Sequence, residues 1–77
     1  MSWQDHLDSD PQRCHGSVCV KGTRVLASVL IDSVASGEPI DAVAAAYRVS
    51  AQDVQAALRY AAELARDEVI TFPDVAA

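Results

Sequence analysis

The sequence predicts a small, mainly α domain: three helices in a helix-turn-helix-like outline, homeodomain-like or winged-helix-like, preceded by a short β strand or hairpin. Three observations predict it. The longest amphipathic segment, about residues 51–67, is introduced by Ser50, a good capping residue. Directly before it, Ile40, Val43, Ala44 and Tyr47 recur at i, i+3, i+4 and i+7, the period of one helical face. Upstream, Val18-Cys19-Val20 is a β-branched run that breaks at Lys21-Gly22, as a strand ending in a turn does.

Seventy-seven residues make one domain. A chain of this size buries roughly 60% of its unfolded surface, so its core is small and association with a partner is a natural remedy. Apolar residues make up 51%, mostly Ala and Val, with one Trp, two Tyr and one Phe. That composition suits closely packed short helices. The net charge of −5 argues against a general nucleic-acid binder, which needs a basic stripe. The same balance does not suit a polybasic membrane patch. Composition divides the chain into an N-terminal arm (1–17), the helical domain (18–68) and a C-terminal tail (69–77).

In the arm, Asp8-Ser9-Asp10-Pro11 signals a turn, and Trp3 and Leu7 are its anchors. Between Val18 and Ala27 one or two short strands are expected, with Gly22 free to take a positive φ. A first helix follows over about Val29–Ala35, capped by Ser28. Val29, Leu30, Ile31 and Val34 make it apolar on more than one side. Gly37 stops it and Pro39 forbids its continuation. The second helix spans about Ile40–Tyr47, and Arg48-Val49-Ser50 is the tight connection to the third. There Ser50 and Asp53 read as a capping box with Asp in place of Glu. Val54, Leu58, Ala61 and Ala65, flanked by Ala57 and Leu64, form its apolar stripe. Gln52, Gln55, Arg59, Glu63 and Arg66 form the polar one, with Arg59 and Glu63 spaced to pair.

Several groupings could carry chemistry. As a DNA reader, the third helix would present Gln52, Gln55 and Arg59 to base edges, with Arg48 on a phosphate, since Gln matches adenine and Arg matches guanine. The competing reading is ordinary helix packing, and Asp41 and Asp53 would repel phosphate. Cys14, His15, Cys19 and His6 do not match a tetrahedral zinc spacing, so no metal or other cofactor is expected. No third partner or oxyanion site accompanies the cysteines and histidines, so no enzyme is expected either. Gly22-Thr23-Arg24 sits at a chain corner among apolar neighbours. Arg24 is read first as a structural bridge, to a helix terminus or a carboxylate such as Asp32, and second as a contact to nucleic acid or a partner. The opening residues, Met1-Ser2-Trp3-Gln4-Asp5-His6, are polar, and no apolar run reaches membrane length. A cytoplasmic protein is therefore expected, with Cys14 and Cys19 as reduced thiols.

Leu7, Asp10-Pro11, the run from Gly16 to Val25 ending in Gly22-Thr23-Arg24-Val25, Gly37-Glu38-Pro39, Val43, Tyr47, Val49-Ser50, Val54, Ala57-Leu58 and Tyr60-Ala61 together resemble the bacterial domain-of-unknown-function family 433. The resemblance covers about Leu7 to Asp67. Ser17 stands where the family usually has Lys or Arg, and Val18 where it usually has Pro. The resemblance implies a self-associating helix-turn-helix-like domain with a β-containing arm, and an antitoxin role beside a small nuclease-like toxin. The expected function is thus toxin neutralisation by a homodimer. The partner's active surface would be buried under the acidic face or the Val69–Phe72 tail, and operator DNA is a further candidate partner. The alternatives are a DNA-binding repressor without a toxin and a dimerising module with neither activity.

Overall fold

The computed structural model describes residues 2–67. A 3-10 turn, Trp3–Asp5, leads into strand β1 (Leu7–Ser9), the one-turn helix α1 (Pro11–Cys14) and strand β2 (Val18–Val20). Three longer helices follow: α2 (Ala27–Ala35), α3 (Ile40–Tyr47) and α4 (Ala51–Asp67). The architecture is the mainly helical, helix-turn-helix-like domain that the sequence predicts, with a two-stranded antiparallel hairpin at its N-terminus. Tail residues 69–77, with the Val69–Phe72 segment, lie outside the described residues.

The arm is more ordered than its polar composition suggests. Pro11 opens α1 behind Asp10, whose side chain accepts from the Gln12 N–H at 2.9 Å. His15 and Gly16 both take positive φ and reverse the chain, so that β2 returns antiparallel to β1. The register pairs Leu7 with Val20, Asp8 with Cys19 and Ser9 with Val18. A further bond, from the Lys21 N–H to the His6 carbonyl at 2.8 Å, extends the ladder. The second strand expected before Ala27 reduces to one isolated bridge, Cys19 with Leu26.

That bridge also corrects the start of the first expected helix. α2 begins at Ala27, and its N-cap is Leu26, not Ser28. Leu26 is held extended, and its carbonyl accepts from Val29 and Leu30. Tertiary pairing fixes the helix start, and no capping side chain is used. The other end follows expectation: Gly37 adopts φ +101°. The Gly37 N–H reaches the Val34 carbonyl and the Glu38 N–H reaches that of Ser33, the two bonds of a Schellman motif. Cys19 corrects a second expectation, because it is disulfide-bonded and fully buried. The side chain of Cys14, the one other cysteine, lies outside the described residues.

The core joins Leu7 and Val20 of the strands to Ala27 and Leu30 of α2, Val43 and Ala44 of α3, and Val54, Ala56 and Ala57 of α4. Toward its C-terminus α4 outruns this core. Leu64 is 43% exposed and Ala65 is exposed, so the apolar stripe expected there is only half covered. Among the described residues no helix is long and apolar enough to cross a membrane.

α3 ends on Arg48, which is left-handed at φ 57°, ψ 42°, and the N–H groups of Arg48 and Val49 close onto the carbonyls of Ala45 and Ala44. A residue with a Cβ is disfavoured there by about 1–2 kcal/mol. Arg48→Gly should therefore raise stability by about 0.5–1 kcal/mol, once the extra freedom of glycine in the unfolded chain is discounted. Urea denaturation checks this. An unchanged or lower midpoint would mean that the Arg48 side chain stabilises its own turn.

Candidate functional site: the cleft beside the start of α4

The start of α4 is fixed by a reciprocal pair of hydrogen bonds. The Asp53 N–H donates to the Ser50 hydroxyl at 3.0 Å, and the Ser50 N–H donates to Asp53 Oδ2 at 3.0 Å. This is the capping box that the sequence predicts. The same carboxylate makes one more contact. Asp53 Oδ1 lies 2.9 Å from His6 Nδ1, and both side chains are about four-fifths covered. Burial pushes the Asp53 carboxyl up, but the Ser50 backbone N–H, the His6 ring and the Ser50 hydroxyl outweigh it and hold it below its ordinary value. One turn earlier in the chain, Trp3 packs on Tyr60 with ring centroids 5.6 Å apart and planes tilted by 48°. The N-terminal turn is thus fastened along α4 at two points.

Between turn and helix lies an open cleft of about 280 Å³. Gln52, Gln55, Ala56 and Arg59 form the helix side, on one face at i, i+3, i+4 and i+7. Trp3, His6 and Ser2 form the other side. The structure therefore brings together three of the predicted DNA-reading residues, Gln52, Gln55 and Arg59, but against a wall of protein. Arg48 is exposed in the α3–α4 turn and does not line the cleft.

Charge pairing on α4 differs from expectation. Glu63 Oε1 accepts from Arg66 Nη1 at 2.6 Å. Among the described residues Arg59 has no ion pair and no side-chain hydrogen bond.

The Gly22-Thr23-Arg24 corner is structural through Thr23, not through Arg24. The Thr23 hydroxyl donates to the Val20 carbonyl at 2.8 Å and accepts from the Val25 N–H at 3.0 Å. Gly22 supplies φ +77°. Arg24 is exposed and forms no bridge to Asp32 or any other described carboxylate, because the corner projects it outward. Among the described residues no three His, Cys, Asp or Glu side chains stand together as metal ligands.

The parts of the site that the sequence does not reveal are Trp3 and His6 as its second wall, and Asp53 as the tether. Trp3 is legible as an anchor, but its partner lies 57 positions away.

A depressed carboxyl stabilises the fold above its unfolded value, near 3.8, and that contribution drains away as pH falls through the lower folded value. Asp53→Ala should cost about 1–2 kcal/mol at pH 7, and the variant should lose less stability than the parent on titration from pH 5 to about pH 2. Thermal melts across that range read both effects. Parallel acid limbs would show that Asp53 carries none of the linkage.

A family model described as "Protein of unknown function (DUF433)" matches residues 7–61. No curated protein and no solved structure matches the chain. The matched span begins with β1 and ends inside α4, so it takes in the strand pair, the Gly22-Thr23 corner, the helix-turn-helix and the whole helical wall of the cleft. With well over half of its length matched, the chain belongs to the DUF433 family.

Proposed function

We propose that this protein acts by binding, as the antitoxin of a toxin–antitoxin pair: a homodimer that neutralises a partner toxin by covering its active surface. For self-association the supporting observation is a groove of about 360 Å³ between β2, α2 and α4, walled by Val18, Ala27, Ile31, Tyr60 and Leu64 with Ser17 and Ser28 among them and no charged residue along it. A chain of net charge −5 repels its own copies wherever its charged faces meet, and an uncharged apolar groove is where two copies can join. Isologous pairing would set Leu64 of each protomer beside the Ile31–Tyr60 wall of the other. The remaining acidic surface complements a basic partner. The Val69–Phe72 tail stays in this reading as a second partner contact.

The second reading is a DNA-binding repressor without a toxin. The common face of Gln52, Gln55 and Arg59 favours it. The N-terminal turn beside that face opposes it.

Co-expression tests the antitoxin reading. A neighbouring gene product should arrest growth alone, and this protein should restore it. A harmless neighbour, or arrest that persists, ends the reading. Light scattering should give twice 8.2 kDa at tens of micromolar. Leu64→Arg should return the mass to 8.2 kDa with its helical spectrum intact, since Leu64 contributes little to the core. A monomeric parent would remove the dimer.

A further inference from the structure

We infer that the cleft between the N-terminal turn and α4 is a subsite for one nucleotide, with the base against Trp3 and the Gln52 and Gln55 amides and the phosphate on Arg59. Four observations converge on this, and none depends on the antitoxin reading.

The first is size. At about 280 Å³ the open cleft lies near the lower end of the roughly 300–1,000 Å³ of drug-sized ligand pockets, a size that suits a single nucleotide. The second is charge. In a chain with six basic and eleven acidic residues, no carboxylate lines this cleft, and Arg59 has no ion pair among the described residues. A guanidinium in that setting is a ready partner for phosphate, which it can grip with two parallel bonds.

The third is the chemistry of the walls. Gln52 and Gln55 each offer a donor and an acceptor, the complement of a base edge. Trp3 offers an aromatic surface, on which bases stack. A lone carboxylate would engage Arg59 and leave the indole idle. Gln52 and Arg59 stand about 10 Å apart along the helix axis, a span that a base and its own phosphate bridge.

The fourth separates this site from duplex recognition. A helix with its side chains is about 10–12 Å across and already fills a major groove about 12 Å wide. With the Trp3–Asp5 turn fastened beside it, α4 carries extra width on the face that would read bases, which opposes entry. A free nucleotide and an unpaired nucleotide of a single strand present the same base and phosphate, so the test separates these two sources.

Trp3 is the chain's one tryptophan, and its fluorescence reports on the cleft directly. The full chain is titrated with each of the four common nucleoside monophosphates, the matching nucleosides, inorganic phosphate, and a short single-stranded and a duplex oligonucleotide. At least one monophosphate should quench Trp3 saturably with a midpoint of about 1 mM or lower. Its nucleoside should bind about tenfold more weakly, and phosphate alone should not quench.

Arg59→Ala should weaken binding at least about tenfold, with Arg59→Lys intermediate. Arg66→Ala, which alters the paired arginine of the same helix, should change nothing. A single strand that binds more tightly than its monophosphate assigns the site to a strand, and equal midpoints assign it to the free nucleotide. The inference is overturned if no monophosphate quenches at about 10 mM, if phosphate reproduces the effect, if Arg59→Ala binds as the parent does, or if only the duplex binds.

Discussion

One carboxylate ties this small fold together. Asp53 accepts from the Ser50 N–H through one oxygen and meets the His6 ring through the other. The first contact begins α4, the helix against which α2 and α3 pack. The second brings the arm, 47 residues earlier, onto that same helix. A helix start leaves unsatisfied N–H groups that need acceptors, and the acceptor chosen here also works across the fold. The position of the N-terminal turn, and with it the cleft, follows from that sharing.

The elements legible in the sequence are those with local causes. The end of α3 and the start of α4 can be read because apolar period, turn and cap lie within a few residues of one another: Arg48-Val49 at one helix end, Ser50 with Asp53 at the next helix start. β1 and the start of α2 are not legible. Leu7-Asp8-Ser9 carries no alternation long enough to mark a strand, and it pairs only because His15 and Gly16 reverse the chain. Leu26 ends up as a cap because Cys19 bridges to it. Of the cleft, the helix wall is visible as the polar stripe Gln52, Gln55 and Arg59. The opposite wall depends on contacts that no periodicity records.

α4 therefore has three distinct surroundings. One face is sealed by the core through Val54 and Ala57. A second, near its start, looks across the cleft at Trp3. A third, toward its end, leaves Tyr60 and Leu64 beside the uncharged groove. Tyr60 belongs to two of these, since it packs on Trp3 and also lines the groove. The cleft and the groove thus share one aromatic ring as a common boundary.

Among the described residues, four of the nine clustered core positions are alanine: Ala27, Ala44, Ala56 and Ala57. A methyl group sets a short distance between neighbouring helix backbones, and a close-packed interior has no slack to absorb a branched replacement. The interior of this domain is therefore a poor place for variation. A residue larger than alanine at Ala44 or Ala57 would push α3 or α4 away from its neighbour before it found room, so the spacing of the helices is set by the smallest side chains in the domain.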